Sequence, residues 1–247
     1  EARFLLDRLR STSRPPHRAK PIWAIDLIFG APGQTVQQWE SDLNEAIAYR
    51  PHHISIYGLT VHEGTPFGEM QRAGQLNLPD EEVQREMFVL ARRRLIEAGY
   101  EHYEISNYAL PGFRSRHNER YWTGESYLGL GVAAHSFVGG ARWSNPADIA
   151  LYRQSLESAS SGRLPRKVES PPIGRTLLGE RIMLGLRRLE GINLADFSSR
   201  YGADLRKAYA VEIARLVEAA LLELAEGRLR LTDDGLLVAD AVMAEFF

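Results

Sequence analysis

The sequence predicts an α/β fold followed by a second, smaller helical domain, and three observations carry that expectation. In the first half, short apolar runs alternate with long amphipathic segments, the pattern of strands linked by helices. From Asp148 the texture changes to a helix-like stretch reaching roughly Ser158 and a Ser-, Gly- and Pro-rich connector through Pro172, after which helical periodicity dominates. The 247 residues are 44% hydrophobic and 25% charged, a composition that builds a buried core rather than a disordered chain.

The elements follow in order. Ala2 to Leu9 groups Phe4, Leu5, Leu6 and Leu9 on one side of a helix, and Ser13 to Pro21 reads as a turn. A chain that opens without Met inside a helix is expected to be the carboxyl part of a longer protein. The run from Ile22 to Phe29 is almost wholly apolar and stops at Gly30-Ala31-Pro32-Gly33, so it reads as a buried parallel strand. Thr35 is placed to cap a helix through Trp39, Leu43, Ile47 and Ala48 that ends before Pro51. His53 to Leu59 reads as the second strand. Asp80 to Ala98 carries Val83, Met87, Leu90, Ala91 and Leu95 at helical spacing, closed by Gly99, and Tyr100 to Ile105 reads as the third strand. Such alternation implies right-handed crossovers and a parallel sheet whose ligands lie beyond the carboxyl ends of its strands.

Three segments follow from these patterns: residues 1–150 with the sheet and its loops, a connector over 151–172, and a domain over 173–247. In the last, helical patterns cover Leu177 to Arg188 and Leu205 to Ala225. Arg228 to Val238 reads as a β-hairpin turning at Asp234-Gly235, which after helices suggests a winged-helix module.

Charge and composition remove several function classes. A formal net charge of -2 offers no basic field for nucleic acid. No apolar run has the length of a membrane span and no signal-peptide pattern opens the chain, which leaves a cytoplasmic location as the expectation. With no cysteine, these residues form neither disulfides nor thiolate metal sites, and a metal here would need His or carboxylate ligands.

Asp26 is the first candidate, because a charge within an apolar strand is costly unless it is paired or faces a polar ligand. Gly30 to Thr35 offers backbone N–H groups at a helix start, and an ordinary strand-to-helix turn accounts for the same residues. The densest region runs through Tyr103 to Ala109, His117-Asn118-Glu119-Arg120-Tyr121-Trp122 and Tyr127 to Ser136, read as a loop crowded with polar and aromatic groups. His117 offers an imidazole to iron, and Tyr121 and Trp122 offer rings to a flat macrocycle; structural and core roles suit the same residues. Gly129, Gly131, Ala133 and Ala134 allow a backbone to pass close to a ligand or to another element. His52 and His53, adjacent in a strand, point to opposite faces and do not share one metal. Arg92 to Arg94 reads as a solvated helix face.

Taken together, Asp26-Leu27-Ile28-Phe29-Gly30-Ala31-Pro32-Gly33-Gln34-Thr35, Pro51 to Tyr57, Tyr103 to Ala109, His117 to Trp122, Met183 to Arg187 and Leu231 to Val238 resemble, in order, the motifs of the HemW family of radical S-adenosylmethionine (SAM) heme chaperones. That family is kin to oxygen-independent coproporphyrinogen III oxidase. The resemblance implies an α/β fold that is the later part of a partial (β/α)6 radical-SAM barrel, followed by the small winged-helix-like HemN-type domain. It implies SAM contacts at Asp26, Ile28, Gly30, Tyr57 and Gly58, a heme or substrate side at His117, Asn118, Tyr121 and Trp122, and His117 as a ligand to heme iron. It further implies a [4Fe–4S] cluster in the full-length parent, held by cysteines upstream of Glu1, so these residues alone are not expected to do radical chemistry. Heme and heme-accepting proteins are the implied partners, with peripheral membrane association arising through the recipients. An oxidase acting on coproporphyrinogen III, and a degenerate interaction module without catalysis, are the alternatives.

Overall fold

A computed structural model describes residues 22–157 and 167–247; the expected helix at Ala2 to Leu9, the turn to Pro21 and part of the 151–172 connector lie outside them. The chain divides into two compact units, Glu1–Ser115 and Arg116–Phe247.

In the first unit, β1 (Ala24–Phe29) pairs in parallel with β2 (His53–Gly58) in the register Asp26 to Ser55 and Ile28 to Tyr57. Between them runs α1 (Val36–Ala48), started by a full capping box: Thr35 accepts from the Gln38 N–H while Gln38 accepts from the Thr35 N–H. After α2 (Pro66–Arg72), α3 (Glu81–Glu97) begins at the Asp80 cap. Trp39 and Leu43 of α1 pack with Met87, Leu90, Ala91 and Leu95 of α3 against Phe29, Ile54 and Ile56 of the sheet. The Trp39 indole donates to the Met87 carbonyl at 2.9 Å, so its one polar atom is satisfied inside that core. Tyr100 likewise donates to the Pro51 carbonyl at 2.7 Å, and burial pushes its hydroxyl up to about 12.

Two expectations change here. The third strand, β3 (Glu101–Glu104), does not lie beside β2, because the chain reverses at Ile105-Ser106 and returns as β4 (Asn107–Ala109). β4 inserts antiparallel to both, giving the order β1-β2-β4-β3. The reversal is fixed locally, since Glu104 Oε1 accepts from the Ser106 N–H at 3.0 Å and from the Asn107 side-chain amide. The segment expected as a loop over Tyr103 to Ala109 is therefore this hairpin. Secondly, β1 is not buried on both faces: Leu27 and Phe29 turn toward the helices, whereas Ala24, Asp26 and Ile28 are exposed.

The second unit opens with α4 (Arg116–Trp122) and a three-stranded antiparallel sheet of β5 (His135–Val138), β6 (Ala141–Ser144) and β7 (Lys167–Glu169), with α5 (Ile149–Glu157) between the last two. β7 falls inside the expected connector. Next come α6 (Gly174–Leu186), β8 (Ile192–Asn193), α7 (Leu194–Tyr201), α8 (Leu205–Ala208) and α9 (Ala210–Glu218). β9 (Leu222–Ala225) and β10 (Arg228–Leu231) then form a hairpin whose second strand pairs with β8. Helices followed by such a wing make the winged-helix-like arrangement.

The single helix expected over Leu205 to Ala225 is broken: Ala220 takes a positive φ of 55°, and Leu222 and Leu224 then alternate as a strand. The hairpin turns at Glu226-Gly227, both with positive φ, the conformation of a two-residue type I′ turn. Asp234-Gly235 lies instead in α10 (Asp233–Leu237), which Thr232 caps, and α11 (Ala239–Ala244) follows. Gly235 serves packing rather than a turn, because an added Cβ would fall on the Leu221 carbonyl oxygen. No helix among the described residues is long and apolar enough to cross a membrane.

Candidate functional site

The sheet of the first unit carries a polar face opposite its helices. Parallel register places Asp26 beside Ser55 and Ile28 beside Tyr57 on that face, and antiparallel register adds Asn107 opposite Ser55. Asp26 is exposed, so solvent removes the cost that its charge would have in an apolar strand. Ile28 is 57% exposed and Tyr57 42% exposed. Gly58 closes the same strand end, where a Cβ would press on the Phe29 ring at 3.3 Å. An exposed carboxylate, an aliphatic side chain and a phenol ring thus share the carboxyl ends of two parallel strands, the place where sheets of this class present groups to ligands.

Gly30 is buried with φ 79°. Its loop does not present free donors. The Gly30 and Ala31 N–H groups donate to Gln34 Oε1 at 2.8 and 3.3 Å, Gly33 N–H donates to Asn77 O at 2.9 Å, and Thr35 N–H to Gln38 Oε1 at 2.9 Å. The turn satisfies itself, which accounts for its residues without an anion.

Deeper on the same face lies a cluster that sequence reasoning did not assemble. His53 Nε2 lies 2.8 Å from the Tyr103 hydroxyl, which also accepts from the Ser115 N–H at 3.3 Å. Burial holds the His53 imidazole below its ordinary 6.5, while the Asp26 charge acts weakly the other way. Beside it, Glu104 is fully buried against Asn107, whose Oδ1 has no partner among the described residues. His52 goes elsewhere, accepting from the Trp23 N–H at 3.4 Å and packing on Phe113. Sequence places Tyr103 in the expected third strand, but the pairing with His53 depends on strand order, which no local signal carries. Of the Arg92 to Arg94 run only Arg93 is exposed; Arg92 reaches His102, and Arg94 reaches Asn44, Glu40 and Glu97.

In the second unit, α4 presents the other candidates. His117 is exposed and meets Tyr121, one turn on, edge to face at 5.0 Å. Tyr121 then packs on Tyr127 at 4.4 Å, and Tyr127 on Phe137 at 6.3 Å. Asn118 is half-buried. Trp122 does not stand open: the Arg187 guanidinium covers one face at 4.4 Å, and its indole nitrogen is enclosed with no partner among the described residues. Gly129 is explained by packing, since a Cβ would fall on the His135 carbonyl oxygen, while Gly131 and Ala133 hold positive φ in a turn.

Two clefts adjoin this helix. One, of about 160 Å³, runs past Tyr121, Tyr127, Phe137, Arg142 and Arg181; the other, of about 200 Å³, runs past Trp122, Arg181, Arg188, Arg200 and Arg228. Both are below the roughly 300 Å³ at which pockets begin to enclose an organic ligand. Among the described residues no three His, Asp or Glu side chains converge on a metal position.

The family model of the HemN C-terminal domain matches residues 175–238. The heme chaperone HemW of Lactococcus lactis is 32% identical over 222 residues, covering 90% of this chain and 57% of that protein. Bacillus subtilis HemW is 31% identical over 223 residues, with 90% and 58% covered, and Mycobacterium tuberculosis HemW 33% identical over 245 residues, with 96% and 60% covered. The chain thus spans about three-fifths of the length of these relatives. Among solved structures, the coproporphyrinogen III oxidase HemN of Escherichia coli, a radical SAM enzyme, matches all of this chain and 58% of its own, with a TM-score of 0.77 at 17% identity. That likeness concerns the fold, which is the carboxyl-side part of a radical-SAM-type α/β architecture.

Proposed function

We propose, from its likeness to HemW proteins and from the HemN C-terminal domain match over residues 175–238, that the chain is part of a HemW-family protein and that the whole protein binds heme and passes it to heme-accepting proteins. The observation that carries the reading is α4, where an exposed His117 sits one turn before a half-buried Tyr121. Cargo that must be handed on suits an open face better than a sealed pocket. His117 supplies the nitrogen for iron, Tyr121 the flanking ring, and Asn118 a polar edge. Trp122, covered by Arg187, holds the helix in place rather than stacking on the cargo.

For SAM, the residues fit: Asp26 is an exposed carboxylate suited to a ligand amine or hydroxyl, and Ile28, Tyr57 and the Gly58 backbone offer an apolar strip for a flat base. When bound, SAM with a reduced cluster supplies radical chemistry. A [4Fe–4S] cluster does not fit these 247 residues, which include no cysteine; its thiolates would have to come from outside them. In this proposal the barrel-derived part spans 1–150, a connector 151–172 and the HemN-type domain 173–247.

Heme titration of the purified chain tests the proposal. The expected result is a saturable shift of the heme absorption band that His117→Ala abolishes or moves to a different ligation state. An unshifted band in the parent chain would sink the reading, and an identical shift in His117→Ala would remove His117 as the ligand.

A further inference from the structure

Several arginines of the second unit have a carboxylate. Arg142 meets Glu180 in two contacts at 2.9 and 3.2 Å, Arg175 pairs with Glu212, Arg188 with Glu190, Arg215 with Glu245 and Arg230 with Glu223. Arg181 has none among the described residues. Its guanidinium instead stands over the Phe137 ring at 5.0 Å and near the Tyr201 ring at 6.0 Å. Its Nε is enclosed with no acceptor among the described residues.

A half-buried cation without an anion is a cost that aromatic faces offset only in part. The guanidinium is also held in position. Gly124, in the turn that ends α4, has φ 67°, and a Cβ there would come within 2.9 Å of Arg181 Nη1. Arg181 therefore lies against the end of the helix that carries His117 and Tyr121, and it is common to both clefts, one of which Tyr121 also lines. A fixed, planar, unneutralised fork beside an open macrocycle-binding face is suited to a carboxylate on the edge of that macrocycle.

We propose that Arg181 receives a propionate of heme, in a two-point ion pair at the end of α4, and so fixes which edge of the cargo faces the protein. The proposal rests on the heme reading above and names a residue for it. Arg142, the nearest alternative in the same cleft, is already occupied by Glu180.

The test compares heme with its dimethyl ester, in which both carboxylates are blocked and the iron and ring are unchanged. Spectral titrations use the intact chain, Arg181→Gln and Arg181→Lys, with a thermal unfolding curve for each. The parent chain is expected to bind free heme roughly tenfold or more tightly than the ester. Arg181→Gln should lose that preference while keeping its affinity for the ester, and Arg181→Lys should keep part of it. Equal affinity of the parent chain for both forms overturns the proposal while leaving the heme reading in place. An equal fall for both forms in Arg181→Gln overturns it too, because it marks a packing role. If the parent chain binds neither form, the heme reading and this proposal fail together.

Discussion

His53 and Tyr103 meet across an intervening strand: they belong to β2 and β3, and their side chains span β4, where Ala109 is the residue in register with His53. Two strand spacings amount to about 9.6 Å, a gap that an imidazole and a phenol close only if the residue between them is small. The pair has a pH signature. Burial depresses the His53 pKa, so the unfolded chain takes up a proton near 6.5 that the folded protein refuses until lower pH. Stability from the neutral imidazole is then fully present above 6.5 and is lost as pH falls through 6.5 toward the folded-state pKa. Urea unfolding midpoints should fall between pH 7.5 and 5.5, and fall less in His53→Gln. Equal slopes in the two proteins would show that another group carries the effect.

Removing the partner separates the hydrogen bond from the packing. Tyr103→Phe keeps the buried ring and deletes a hydroxyl that bonds His53 Nε2 and the Ser115 N–H. The expected cost is about 1–3 kcal/mol, the range for leaving a buried group unsatisfied. Combined with His53→Gln, the losses should be less than additive, which a double-mutant cycle in urea reads directly.

What was legible in the sequence followed from local chemistry. Thr35, Asp80 before α3 and Gly99 after it each announced a helix boundary, and the apolar run to Phe29 announced β1. What was not legible depended on partners remote in sequence. That Asn107 pairs with Ser55, inserting β4 and spoiling a purely parallel sheet, is decided by a register some fifty residues away. The same holds for the exposure of Asp26, which a one-dimensional pattern read as a buried charge. Asp234-Gly235 misled because the dipeptide is a turn signal only where both residues are free to take positive φ. Close packing on Leu221 is the actual reason for that glycine.

In the second unit, Gly129→Ala tests whether the small-residue stretch is packing or ligand approach. Its N–H donates to Ser136 Oγ at 3.0 Å, and a Cβ would fall on the His135 carbonyl. The substitution should destabilise the unit by about 1–3 kcal/mol, as overpacking does. Urea unfolding of the parent chain and the variant, followed by circular dichroism, makes the measurement. A neutral result would return the position to the candidate ligand surface.

Asp26→Asn distinguishes a residue kept for binding from one kept for the fold. Asp26 is exposed on the polar face of β1, and its charge slightly favours a protonated His53 that the fold otherwise holds neutral. Removing the charge should therefore leave unfolding midpoints at neutral pH within about 0.5 kcal/mol, the usual range for surface changes, and lower the His53 pKa slightly further. The same substitution in a full-length form that holds its cluster should weaken SAM binding, read by equilibrium dialysis, because the carboxylate is the charged group at that strand end. Unchanged SAM affinity with unchanged stability would remove Asp26 from the site. A large loss of stability would mean that its carboxylate serves the fold itself, in conflict with its exposure.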